Sequence, residues 1–388
     1  MNQTLTAVSH EKDTEAAVKE IGAAVRGAFK GAPADAVVVF ASAQHDFGRL
    51  LTGLANACGT DRIMGASSAG EFSHSTRGEG SVSVLALRSD DMRFRIGLGE
   101  NLSVNPGLAA REVARSFAGI TDSPLPYRAA LVMTDALAGH TDAVVDELTL
   151  ATGGEYRFFG GGAGDDGKFH KTHVFAGTKA VSNAVVALEI LSSKPLGVGV
   201  SHGWTPAGKA MRVTEAEGNR VVSLNGVPAV ELIEEHARQT AQRFDRADPL
   251  PFFLHNILGI EAGGQYRLRV PLGVESDGSL VCAAAIPQGS VIHVMKTSAE
   301  SAVTAAQQAT RSALDALAGA RPGAAFVFDC VATRLRMGNA FDDELRSCAD
   351  ILHPAGFVGC NTYGQIARAE GQFGGFHNCT AVVCVLPE

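Results

Sequence analysis

Met64-Gly65-Ala66-Ser67-Ser68-Ala69-Gly70-Glu71 leaves an apolar stretch through a glycine-framed turn, and the chain returns on the apolar strand Ser81-Val82-Ser83-Val84-Leu85-Ala86-Leu87. The pattern recurs twice. Phe159-Gly160-Gly161-Gly162-Ala163-Gly164-Asp165-Asp166 leads to Ala184-Val185-Val186-Ala187-Leu188, and Val358-Gly359-Cys360-Asn361-Thr362-Tyr363-Gly364-Gln365 leads to Thr380-Ala381-Val382-Val383-Cys384-Val385-Leu386. A fixed internal repeat implies repeated structural units. It also marks three equivalent turns.

Upstream of each turn the pattern continues. A continuous apolar run precedes it at 36–40, 129–133 and 324–328. Such runs, without polar alternation, predict strands covered on both faces. Apolar residues at helical spacing precede these in turn, for example Ile21, Val25 and Phe29, or Ala306, Ala309 and Ala313. Short strands at 5–9, 94–98 and 291–295 are predicted to open the units. Each unit therefore reads β-α-β-α-β-β. The expected fold is α/β, a layered sandwich of mixed sheets in two halves, 1–227 and 228–388. Residues of about 192–290 break the repeat and read as strands and hairpins around one helix at 229–241. The turn Asn225-Gly226 marks one hairpin.

Composition narrows the class. The chain has 388 residues, 46% hydrophobic and 19% charged, with a formal net charge of −8. This is a packed protein without the clustered basic residues of a nucleic-acid surface. There is no run of about 18 apolar residues, which predicts no membrane span. Seven cysteines without regular spacing predict reduced thiols and a cytoplasmic protein.

Several segments in fixed order resemble the FIST family of intracellular sensory domains. They are Gly161-Gly162-Ala163-Gly164-Asp165-Asp166, His202-Gly203-Trp204-Thr205-Pro206-Ala207-Gly208, Val213-Thr214-Glu215-Ala216-Glu217-Gly218-Asn219 and Leu224-Asn225-Gly226-Val227-Pro228-Ala229. In the C-terminal half they are Phe328-Asp329-Cys330-Val331-Ala332-Thr333-Arg334, Gly356 to Gly364, and His377-Asn378-Cys379-Thr380. The resemblance spans nearly the whole chain. It implies small-ligand sensing between the two halves and output through a partner such as a histidine kinase or a cyclic-dinucleotide enzyme. One branch of the family resembles haem-binding nitric-oxide sensors, so haem is an implied alternative cofactor. The chain departs from the family at Gln365, where an acid is usual, and at Cys360 and Asn361, where bulkier residues are common.

Loops after strand C-termini are where α/β sheets place ligands, and three polar exits qualify: Ala41–Asp46, Thr134–His140 and Asp329–Arg336. Arg334 and Arg336 carry guanidinium forks suited to a carboxylate or phosphate; the alternative is an ion pair with Glu344. Asp46, Thr141 and Asn339 are candidate helix caps. From the turns, Ser67, Ser68, Glu71, Asp165, Cys360 and Tyr363 are candidate ligand contacts, as is Cys330. A reactive thiol needs a nearby cation, whereas a packed one needs only burial. The glycines at 160–164 lack the lysine of a phosphate loop and are followed by two acids that repel phosphate, so close packing explains them better. His45, His140 and His377 are the candidate axial ligands for haem. A hydrolase or transferase using Cys330 or Ser67 is the enzymatic alternative, without a supporting nucleophile motif; the expectation is a protein that is not an enzyme.

Overall fold

The computed structural model describes residues 2–121, 123–368 and 375–388. Three units of similar plan surround a common core. The first comprises strands Asn2–Ser9, Ala36–Ala41, Ile63–Ser67 and Val82–Ser89 with helices Thr14–Ala28 and Phe47–Cys58. The second comprises strands Met92–Glu100, Tyr127–Thr134, Arg157–Gly162 and Ala184–Ser192 with helices Pro106–Arg115 and Thr141–Ala151. The third comprises strands Gly197–Ser201, Pro322–Cys330, Gly356–Thr362 and Ala381–Pro387 with helices Ala299–Asp315 and Phe341–Leu352.

Within each unit the second and third strands pair in parallel and the others antiparallel. One face of each sheet turns inward, where Phe40, Phe159, Phe326 and Phe328 meet in a single apolar core. The Phe40 and Phe328 rings approach edge to face at 5.4 Å between centroids. The other face carries the helices: Val37 and Val39 meet Ile21 and Leu54 in the first unit, and Ala325 and Val327 meet Ala309 and Phe341 in the third. Both faces are therefore dry, which is why the strands read as unbroken apolar runs.

A short hairpin follows each glycine turn and pairs with another unit's sheet. Glu71–Ser73 and Arg77–Gly78 join the third sheet through Gly356–Thr362. Val174–Ala176 and Lys179–Val181 join the first through Ile63–Ser67. Gln365–Arg368 and Gly375–His377 join the second through Arg157–Gly162. The exchange is cyclic and locks the three units together.

The structure corrects the opening strand of the third unit. The run at 291–295 forms Val291–Lys296, which pairs with Ile257–Ala262 in a separate nine-stranded sheet. The position is filled instead by Gly197–Ser201, antiparallel to Ala381–Pro387. This matches Asn2–Ser9 against Val82–Ser89 and Met92–Glu100 against Ala184–Ser192. Gly197 and Gly199 let the helix lie directly on this strand; an added Cβ would fall 1.8 Å and 1.9 Å from the carbonyl oxygens of Ala313 and Ala309. The non-repeating region is thus an insertion of about 95 residues between the first strand and first helix of the third unit. Its Asn225-Gly226 turn forms as expected, with both residues at positive φ and Val227–Pro228 pairing back on Arg220–Leu224.

Candidate functional site

The three glycine turns meet at one end of the core, at the C-terminal ends of the parallel strands. Their backbones form a closed collar. Ala69 N–H donates to the Asn361 carbonyl at 3.0 Å, Gly164 N–H to Ser67 at 2.9 Å, and Tyr363 N–H to Gly162 at 3.0 Å. These are equivalent positions of the repeat, so each turn donates to the next. A second set runs from Asn361 N–H to Gly70 and from Gly162 N–H to Gly364. The equivalent Ser67 N–H instead reaches His173, because the second turn carries a longer loop.

The first glycine of every turn has the same steric cause. A Cβ on Gly65, Gly160 or Gly359 would fall 1.7, 2.1 or 1.8 Å from the carbonyl oxygen of Val39, Val132 or Val327 respectively. No side chain fits there. The glycines serve close packing, as their sequence context suggested.

Most polar turn residues are spent inside the collar. The Ser67 hydroxyl accepts from His173 N–H at 2.9 Å. The Ser68 hydroxyl donates to Glu71, whose other oxygen accepts from the Ser81 N–H at 3.0 Å and hydroxyl at 3.1 Å. Gln365 meets the equivalent partners in the third turn with one bond reversed: its amide donates to Thr362 Oγ at 2.8 Å, and its oxygen accepts from Thr380 N–H at 3.3 Å. Burial pushes the Glu71 carboxyl up to about 7 against the bonds from Ser68 and Ser81, so a carboxyl that gains its proton below neutral pH and an amide occupy equivalent places. Cys360 lies in the central core, where burial pushes its thiol well up. It does not share a surface with Cys330.

Asp165 organises the second turn. Its carboxylate accepts from the Phe169, His170 and Lys171 N–H groups at 2.8, 2.6 and 2.9 Å, and from the Tyr363 hydroxyl. Burial pushes its pKa up, but these donors more than offset that and hold it below the usual carboxylate range. The Phe169 ring is thereby stacked on Tyr363, 4.2 Å between centroids and 9° from parallel. Asp165→Ala strands four donors and should release this stack; an apolar probe of the adjacent cavity should bind several-fold more weakly while circular dichroism stays unchanged.

That stack is one wall of an apolar cavity of about 400 Å³. Ala136 and Leu137 of the second unit, Leu254 and Leu272 of the insertion, and Val331 and Ala332 of the third unit also line it, together with Cys330. Its size suits a small organic molecule. Its one amide, on Asn378, is already engaged with Val270 N–H and the His377 carbonyl. Of the large apolar side chains left exposed, Leu137, Phe169, Leu272 and Leu335 all border this cavity, so its mouth is apolar too. A larger groove, about 1040 Å³, lies at the opposite end, where Asp35, Arg62, Arg93 and Arg95 line it. It is charged, and it sits at the N-terminal ends of the parallel strands, so the smaller cavity is the better candidate.

Helix Val331–Met337 divides the remaining predicted residues. Val331, Ala332 and Leu335 face the cavity. Arg334 points away from it, over Gly70, and pairs with Glu79 at 2.9 Å. The Arg336 guanidinium lies 5.5 Å from the Trp204 ring centroid and faces Asp329 and Glu344. Those two acids hydrogen-bond each other; burial, then their mutual charge, pushes Glu344 well up, and the pair holds a proton between its carboxyls. Neither arginine lines the cavity. Of the expected caps, Asp46 accepts from Arg49 N–H, whereas His140 and Ala340 stand at the other two helix starts without side-chain caps.

The three histidines lie apart. His45 is buried beside Thr14, His140 is exposed at a positive φ, and His377 sits in strand Gly375–His377. None lines the apolar cavity, and among the described residues no group of three or more His, Cys, Asp or Glu is placed to hold a metal ion. The cavity does not fit haem held by an imidazole.

Of the residues expected from the sequence, Cys330 and Tyr363 line this cavity. Leu254, Leu272 and Phe169 line it without having been expected, because their approach depends on how the insertion and the second-turn loop fold back. An apolar residue beside a polar loop, as at Phe169, was the available signal.

Residues 35–227 match the family model of the FIST N domain, and residues 229–368 match that of the FIST C domain. No curated protein matches the chain. Among solved structures, a cyanuric acid hydrolase from A. caulinodans is similar at 11% identity, with 100% of this chain and 99% of that chain covered and a TM-score of 0.33. A phosphoribosylformylglycinamidine synthase II from Thermotoga maritima is similar at 12% identity, with 100% and 71% covered and a TM-score of 0.21. No helix among the described residues is long and apolar enough to cross a membrane.

Proposed function

Since the chain belongs to the FIST family, whose domains serve sensory signal transduction, we propose that it binds a small apolar ligand in the cavity beside Cys330 and Tyr363. The carrying observation is that one apolar space joins residues of both family halves: Leu137 and Phe169 from the first, Leu254, Leu272 and Ala332 from the second. A ligand there touches two units and the insertion at once, so its binding energy depends on how they sit together.

Helix Val331–Met337 supplies the link to an output. A ligand against Ala332 and Leu335 displaces the element that also holds Arg334 to Glu79 on the first unit's hairpin. The protein acts by binding and by contact with a signalling enzyme, a histidine kinase or a cyclic-dinucleotide enzyme, and not by turnover. Haem is set aside because no imidazole borders the cavity.

The test uses 1-aminoanthracene, a neutral fluorescent probe of suitable size. It should saturate at one molecule per chain. Ala332→Trp fills the cavity and should weaken binding by more than about tenfold, a loss of roughly 1.4 kcal/mol. Equal binding by that variant, with its thermal unfolding unchanged, rejects the assignment. The signalling arm is tested by adding the probe to the protein mixed with a histidine kinase: a change in autophosphorylation rate that Ala332→Trp abolishes is the expected result, and an unchanged rate rejects the kinase as the partner.

A further inference from the structure

The apolar cavity has one cysteine among its lining residues, Cys330. Cys330 ends strand Pro322–Cys330, where the chain turns into helix Val331–Met337. Cys379 stands behind it. Both belong to a small cluster with Trp204, Leu268 and Met295, where each thiol shifts the other's ionisation. Cys379 does not line the cavity, so a molecule arriving there meets Cys330 first.

The two sulfurs differ. The Cys379 thiol, with further help from the Cys379 and Ala332 backbones, outweighs burial and brings the Cys330 thiol down to about 7. The same contact, reinforced by burial, pushes Cys379 well up. Cys330 is thus the more readily ionised sulfur and Cys379 the one that keeps its proton, the order in which one sulfur attacks and the other resolves. The other five cysteines are buried as well, and burial pushes the thiols of Cys58, Cys282, Cys348, Cys360 and Cys384 up.

We propose that Cys330 and Cys379 form a dithiol site that reacts with an organic hydroperoxide whose apolar body occupies the cavity. The inference rests on the reading of that cavity as the ligand site. The Cys330 thiolate attacks the terminal peroxide oxygen; a sulfur–oxygen bond forms and the oxygen–oxygen bond breaks. The alkoxide takes the Cys379 proton and leaves as an alcohol. The Cys379 thiolate then attacks the Cys330 sulfenic acid. A disulfide forms, and the departing hydroxide leaves as water with the proton that Cys330 had released to solvent. Two electrons pass from the sulfurs to the peroxide, which is the full balance. The apolar walls decide the class: Leu254, Leu272 and Phe169 offer hydrogen peroxide nothing to bind, whereas they retain a hydrocarbon body.

The full chain, reduced and desalted, is treated with equimolar cumene hydroperoxide or hydrogen peroxide and read by mass spectrometry. Cumene hydroperoxide should remove two hydrogen masses and yield one Cys330–Cys379 linked peptide, reversed by dithiothreitol. It should react at least roughly tenfold faster than hydrogen peroxide, the gain from burying a few methylenes. Cys379→Ser should stop at a Cys330 sulfenic acid that dimedone traps, and Cys330→Ser should leave Cys379 unmodified. Intact 1-aminoanthracene binding with both thiols still alkylatable after treatment overturns the dithiol and leaves the cavity reading standing. Loss of the probe in wild type overturns both. Equal rates with the two peroxides overturn the organic class.

Discussion

Gly359→Ala should destabilise the protein by more than about 3 kcal/mol or prevent folding altogether, the range of backbone overpacking in a dry core. The added methyl would sit 1.8 Å from the Val327 carbonyl oxygen and 2.5 Å from the Phe72 ring. One obstacle is backbone in a paired strand and the other is a fully buried ring, so neither can withdraw. Phe72 comes from the first unit's hairpin, placed in the third sheet by the cyclic exchange. The damage therefore reaches two units. Gly27→Ala is the matched control, since nothing lies within 4 Å of its added Cβ; it should change stability by less than about 1 kcal/mol, in the favourable direction. Urea midpoints for the two variants measure the contrast. Equal midpoints would mean that the strands do not approach as described.

Glu71→Gln should alter the pH dependence of stability and leave the fold intact. The Glu71 carboxyl is raised from 4.5 to about 7 in the folded chain. Between these values the native state holds a proton that the unfolded chain has lost. Stability is thus complete below about pH 4.5 and falls as pH rises through 7. The full difference is about 3 kcal/mol. Glutamine removes it and reproduces the arrangement already present at Gln365, where the side chain bonds to Thr362 and Thr380. Urea denaturation of both proteins from pH 4.5 to pH 8 should show the variant gaining on the wild type by about that amount. Parallel curves would place an ionised carboxylate at Glu71 throughout.

Much of the fold is legible in the sequence because its two decisive signals are local. Runs such as Ala36–Phe40 and Ala324–Phe328 have no polar face, so they belong between layers. The first glycine of each turn is present for one steric reason, repeated three times. The opening strand of the third unit was misplaced because the insertion separates Gly197–Ser201 from its helix, and a short apolar run such as Val291–Met295 fits any strand. A signal was present: Gly97-Leu98-Gly99 and Gly197-Val198-Gly199 are the same device, each laying bare backbone beneath a helix. The hairpin exchange had no such trace. Glu71–Ser73 and Val174–Ala176 are three-residue strands that each pair on one side with a strand of another unit, and local propensity carries no information about such pairing.

The site divides in the same way. Cys330 and Tyr363 could be singled out because both lie at or just after strand C-termini. Arg334 and Arg336 attract notice as guanidinium groups, yet their partners, Glu79 and the Asp329–Glu344 pair, are set by tertiary packing. Asp165 reads in the sequence as one of two adjacent acids and a candidate ligand contact; its four donors appear only when the second-turn loop closes around it.

The most direct measurement is a crystal structure of the protein grown with 1-aminoanthracene. The account predicts one probe molecule enclosed by Leu254, Leu272, Ala332 and Tyr363, within reach of the Cys330 sulfur. Density for the probe only in the charged groove near Arg62 and Arg93, with the cavity beside Cys330 unchanged, would contradict it.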